Sequence, residues 1–100
     1  AAICGPARGH QAPSGWEYEP RGCSGRDCHP IVARHVRSTP DGYVVTIQPG
    51  EHPMVRDHEV THTIPYGAPA VRPSGDGEFH ICLYPGPETV RCFYTPPRGF

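Results

Sequence analysis

Five cysteines, Cys4, Cys23, Cys28, Cys82 and Cys92, fall in a chain of 100 residues that holds 14 prolines, one methionine and a single leucine. A chain of this length buries only about 60–70% of the surface its unfolded form exposes, so cross-links often replace core that it cannot build. The cysteine pattern therefore points to an oxidising compartment, periplasmic or extracellular. One domain is the count this length supports. Valine and isoleucine together number 13, against one leucine and one methionine. β-branched side chains pack well on a pleated surface, so the expected fold is mainly β.

Net charge is −1 and the isoelectric point is near 6.7. The nine basic residues are all arginine and are scattered without a run. A nucleic-acid partner or an anionic membrane surface needs clustered positive charge, so neither is expected. Guanidinium forks suit carboxylate and phosphate recognition, but base composition that enriches Arg, Pro, Gly and Ala together is the better account of the absence of lysine. No run of 18 apolar residues is present to span a membrane. Ala1-Ala2-Ile3 fits a mature start after a small-residue signal-peptidase site, and fits equally the tail of a leader cut before His10. Cys4 is the odd thiol in either scheme.

Residues 1–20 read as an irregular arm, in part leader on the second view, whose Trp16 and Tyr18 pack on the domain; residues 21–100 form that single domain. The stretch 22–30 is turn-dense and 66–77 is rich in Gly and Pro, so both are expected to be loops. Period-two alternation predicts strands over 42–48, 59–64, 78–84 and 89–95, with 31–37 as a further strand. These make one small antiparallel sheet of about four or five strands, loop-rich, disulfide-stapled and covered on one face by the arm and loops. Pro85-Gly86-Pro87-Glu88 joins the last two strands as a hairpin. A three-residue loop over Gly86, Pro87 and Glu88 would set Cys82 directly opposite Cys92, at a separation suited to a disulfide. Cys23, Cys28, Cys82 and Cys92 are the expected disulfide cysteines. Their pairing stays open between Cys23–Cys28 with Cys82–Cys92 and the two long-range schemes.

His58-Glu59-Val60-Thr61-His62 matches the H-E-x-x-H pattern of zinc peptidases, which works only on a helix, where both imidazoles share one face. Here Val60, Thr61 and Thr63 are β-branched and Pro65 follows, so a strand is expected, and residues four apart in a strand stand about 13 Å from each other. Seven histidines also offer a Cu or Zn site. His62 and His80, as neighbours on facing strands, are its leading candidates, with His58 and His29 next; a cleaved N-terminal His10 would be a further Cu(II) ligand. The bland alternative is histidines held by backbone hydrogen bonds. Cys23 and Cys28 enclose four residues rather than the two of thioredoxin-like sites, which favours a structural role. No phosphate-binding loop, dinucleotide fingerprint or serine-nucleophile elbow occurs.

Trp16-Glu17-Tyr18, the Cys23-Ser24-Gly25-Arg26-Asp27-Cys28-His29-Pro30 segment, Thr63-Ile64-Pro65-Tyr66, Pro73-Ser74-Gly75-Asp76-Gly77 with Phe79-His80-Ile81-Cys82, and the closing Cys92-Phe93-Tyr94-Thr95-Pro96-Pro97 together resemble a group of small secreted bacterial proteins of uncharacterised function. The likeness spans most of residues 16–97. Members often carry two adjacent cysteines where this chain has Gly22-Cys23. The resemblance implies export and a short disulfide-bearing β domain, and lends no activity.

The functional expectation is a small exported binding or accessory protein rather than an enzyme, holding Cu or Zn through His62, His80, His58 and His29. The alternatives are a structural subunit docking on a larger exported assembly through the Trp16/Tyr18 arm and the Pro-rich tail, and, last, the zinc peptidase.

Overall fold

The computed structural model describes residues 12–16, 18 and 28–97. Cys4, His10 and Cys23 lie outside the described residues, as does most of the expected cysteine loop. Seven strands follow in order: β1 (Cys28–Ile31), β2 (Val36–Thr39), β3 (Gly42–Ile47), β4 (Val60–Ile64), β5 (Val71–Pro73), β6 (Phe79–Leu83) and β7 (Val90–Thr95). A single 3-10 turn, Ala33–His35, joins β1 to β2. The mainly β, disulfide-stapled class is as expected, but the strands divide into two sheets rather than one. The first is four-stranded in the order β1-β6-β7-β5, and the second three-stranded in the order β2-β3-β4.

The division arises where 31–37 was expected to run on as one strand. Ile31 ends β1 in the first sheet, the 3-10 turn redirects the chain, and Val36 begins β2 in the second, paired with Val45. A two-residue turn, Pro40-Asp41, then reverses into β3. There the Thr39 hydroxyl donates to the Gly42 carbonyl at 2.8 Å. Gly42 has φ +143°, and a Cβ at this position would collide with the Ile64 carbonyl of β4, so the close approach of three strands requires glycine.

β5 corrects the loop expected over 66–77. It is only three residues long, pairs parallel with β7, and is tied in by Phe93 N–H donating to the Ala70 carbonyl and Ser74 N–H to the Thr95 carbonyl, both at 2.8 Å. Val71-Arg72-Pro73 is too short to show alternation, so β7 rather than local pattern makes it a strand.

β6 organises the packing because both of its faces are buried. Ile81 and Leu83 join Ile31, Phe93 and the inward residues Tyr43, Val45, Ile47 and Ile64 of the second sheet, forming the core between the sheets. His80 and Cys82 point the other way and, with Cys28, Cys92 and Tyr94, form a second core closed by Ala12, Trp16 and Tyr18. The N-terminal segment is thus the third layer. In register across this face lie Cys28, Cys82 and Cys92. A bulge follows on β7, where Leu83 pairs with Val90 and Arg91 is the extra residue.

Cys82 does stand opposite Cys92, as the hairpin geometry implies, yet it bonds to Cys28. Cys92 is disulfide-bonded as well, to a partner outside the described residues. Of the pairings left open by the sequence, the local scheme of Cys23–Cys28 with Cys82–Cys92 is excluded: the linkage is long-range, joining positions 54 apart. Closing so long a loop removes much unfolded-state entropy, so we expect Cys28→Ala combined with Cys82→Ala to cost about 2–5 kcal/mol in denaturant unfolding. Peptide mapping under non-reducing conditions should recover a Cys28–Cys82 cross-link.

Candidate functional site

The densest polar cluster of the described residues lies on the second face of β6 and starts from the loop that precedes it. Ser74 Oγ donates to Asp76 Oδ1 at 3.0 Å and accepts from Asp76 N–H at 3.3 Å, while Glu78 N–H donates to the same Oδ1 at 3.1 Å. Short side-chain bonds to nearby backbone are what Ser and Asp contribute to turns. They aim the Asp76 carboxylate at His80, whose Nε2 lies 2.7 Å from Oδ1.

A carboxylate only accepts, so Nε2 carries the proton and Nδ1 of a neutral ring is left as an acceptor. Tyr18 meets it, its O–H donating to Nδ1 over 2.8 Å. Ser14 Oγ closes the other end by donating to Asp76 Oδ2 at 2.5 Å. Trp16 covers the chain of bonds, with ring centroids 5.2 Å from Tyr18, 5.0 Å from His80 and 4.9 Å from Tyr94. Gly75 lies beneath its indole, where a Cβ would overlap the ring.

Burial pushes the Tyr18 phenol well above its ordinary value, and the negative charge of Asp76 adds to this, followed by Tyr94 and Glu78. For Asp76, burial acts upward, but donors from His80, Ser14, the Glu78 amide and Ser74 outweigh it and hold the carboxyl well below the usual carboxylate range. Tyr–His–Asp is an order that can serve nucleophile, base and orienting group. Here the phenol is held neutral, and Tyr18 and His80 are 1% and 0% exposed, so neither is presented to a substrate. What the arrangement does chemically is fasten the N-terminal segment to the sheet through Ser14 and Tyr18.

The four histidines named from sequence do not converge. His62 and His80, expected side by side, are on strands of different sheets, β4 and β6. His62 Nε2 donates to the Pro87 carbonyl at 2.8 Å, and both nitrogens of His80 are bonded within the cluster. His58 is exposed ahead of β4, and His29 is half-buried on β1 with its ring 5.9 Å from that of His52. Among the described residues no three His, Cys, Asp or Glu side chains are grouped to hold one metal ion. The H-E-x-x-H segment enters a strand, so its helical chelating geometry does not form.

His52 follows the bland expectation. Buried at 1% exposure, it donates from Nε2 to the Ile81 carbonyl at 3.1 Å and accepts the Met54 amide on Nδ1 at 3.0 Å. Sequence reading named Ser74 and Asp76 only within a resembling motif, gave them no role in a site, and did not name Ser14. Their signal was the Ser74-x-Asp76 spacing before a strand, legible as a side-chain-stabilised turn but silent on its partner 62 residues away. The Trp16/Tyr18 pair packs on the domain as expected. Tyr18, being buried, is correspondingly not an outward docking element.

Gly75→Ala must displace the indole, so we expect a loss of about 1–3 kcal/mol from overpacking, with the emission of Trp16 shifting to the red. The two shifted groups set opposite pH limbs. Asp76, lowered in the folded state, stabilises fully above the unfolded value of about 4 and loses that contribution as pH falls toward the folded one. Asp76→Asn should therefore flatten the acid limb of stability against pH in denaturant titrations. Tyr18, raised in the folded state, favours folding below about pH 10 and less so as pH rises further, a limb that Tyr18→Phe should remove.

Comparison of the chain with protein families, with curated proteins and with solved structures finds no match.

Proposed function

We propose that this chain is an exported, non-catalytic accessory domain that docks on a partner protein, with the tip of the β6–β7 hairpin as its docking element. The observation that carries this reading is Tyr84, 52% exposed at the tip, with the Arg91 guanidinium 5.4 Å from its ring centroid. Tyr and Arg are the residue types that, with Trp, dominate interface energetics, and a pre-stacked pair loses little freedom on binding. The tip is also braced. Tyr84 N–H donates to the Thr89 carbonyl at 3.1 Å, Thr89 N–H to the Gly86 carbonyl at 3.3 Å, and His62 holds the Pro87 carbonyl from the second sheet. Below it, the hairpin continues into the buried row of Cys82 and Cys92.

Export is supported by the two disulfide bonds, which persist in oxidising compartments, and by the resemblance to small secreted bacterial proteins. No helix of the described residues is long and apolar enough to cross a membrane. The competing version is a Cu or Zn carrier using His29, His58 and His62; His80 would join only by giving up the Tyr18 or the Asp76 bond of the buried cluster.

A photo-crosslinking phenylalanine analogue at position 84, in protein exported by its own host, tests the docking version. The expected outcome is one discrete cross-linked species, lost with Arg91→Ala and absent when the analogue replaces exposed Asp41. Equal labelling at positions 84 and 41 would sink it. Elemental analysis of the same protein, purified without metal affinity, should return no stoichiometric Cu or Zn; one equivalent would favour the carrier instead.

A further inference from the structure

The two sheets end in four edge strands, β1 and β5 on the first and β2 and β4 on the second. Exposed edges invite pairing with other chains, and proteins guard them with proline, charge or shortness. Three of the four carry such guards: Pro30 lies within β1, β5 has three residues of which two are Arg72 and Pro73, and β2 has exposed Arg37 and stops at Pro40. β4 carries none. Val60-Thr61-His62-Thr63-Ile64 contains no charged residue, no proline and no glycine, and among the described residues only β3 pairs with it.

Its sequence is also nearly the same in both directions. An antiparallel copy centred on His62 would set Val60 opposite Ile64, Thr61 opposite Thr63 and His62 opposite His62, like beside like on each face. Thr61 and Thr63 are exposed on the outer face, while Val60, His62 and Ile64 point inward. Directly opposed Thr–Thr and β-branched pairs favour adjacent strands. Self-complementarity is what a two-fold axis demands, since one patch must meet itself.

We propose that β4 pairs antiparallel with β4 of a second copy about a two-fold axis at His62, joining the two three-stranded sheets into one of six strands. The occupant is this chain itself because the match is with the strand's own reverse, which an unrelated partner strand would not require. A strand of five residues per copy is small beside the roughly 800 Å² per partner of a stable complex, so the pairing is a concentration-dependent equilibrium. It adjoins the hairpin tip, since His62 holds the Pro87 carbonyl, but it uses the edge of β4 rather than Tyr84 and Arg91, so exchange at residues 60–64 and cross-linking at position 84 test the two readings separately.

Sedimentation of the full oxidised chain from about 10 μM to 1 mM, the range of a weak interface, should show monomer passing to dimer. Any covalent dimer is first removed after detection by non-reducing mass analysis. Hydrogen exchange at the two ends of the range should show added protection confined to residues 60–64. Thr61→Lys with Thr63→Lys sets two lysine pairs directly opposite across the axis, on side chains that are exposed in the monomer. We expect it to weaken the dimer about tenfold or more with an unchanged near-ultraviolet spectrum. A monomer throughout the range, or a dimer whose added protection lies elsewhere or that the lysines leave intact, would overturn the proposal. The exchange pattern of the wild-type chain decides the matter by itself should the double variant fail to fold.

Discussion

A strand buried on both faces has no room for a polar side chain unless that side chain brings partners with it. β6 is such a strand, and His80 is fully buried within it. An imidazole has two nitrogens to satisfy, and leaving one unbonded at such depth would cost more than a typical hydrogen bond contributes. Asp76 satisfies one and Tyr18 the other, so the loop before β6 and the N-terminal segment are recruited to the same point. The three-layer arrangement rests on this, with Tyr18 and Trp16 packed over the row of Cys82, Cys92 and Tyr94.

The cysteines act on the same face by other means. Three cysteines align on adjacent strands β1, β6 and β7, and the Cys28–Cys82 bond ties β1 to β6, holding an edge strand that has only four residues and a proline. Hydrogen bonds from Ser14 and Tyr18 position the N-terminal layer, while the Cys28–Cys82 bond secures the sheet beneath it. That division suits a chain with a single leucine and modest apolar content. The donors and acceptors of the polar cluster bond one another across the layers that they hold together. The proposed docking and pairing elements are at the periphery, where Tyr84 rests under Arg91 and the outer edge of β4 is bare of charge.

How much of this could be read from the residues differs by scale. The strands 42–47, 60–64, 79–83 and 90–95 lie within one residue of their expected bounds, because period-two alternation of β-branched and aromatic side chains is a local signal. β5 and the break between β1 and β2 were not legible. A three-residue parallel strand exists only because β7 offers it a ladder, and a 3-10 turn of Ala33-Arg34-His35 has no signature distinct from the end of a strand. The candidate cluster was half legible. His80, Trp16 and Tyr18 were each conspicuous as residues, but His80 was assigned to a metal with His62, since a linear pattern cannot tell which sheet, or which face of it, a histidine will occupy.

By itself, then, the sequence determined the fold class, the positions of the longer strands and the presence of disulfides. Those follow from alternation, turn chemistry and the ratio of surface to volume in a short chain. Only the tertiary structure decided that the strands form two sheets, that Cys82 bonds to Cys28 rather than to the Cys92 directly opposite it, and that His80 pairs with Asp76 and Tyr18. Each of these is a choice among neighbours in space. Cys82 has a cysteine on either side of it in the sheet, and His80 has partners separated from one another by 58 positions in sequence, so the outcome depends on which layers stack, a property no local pattern encodes.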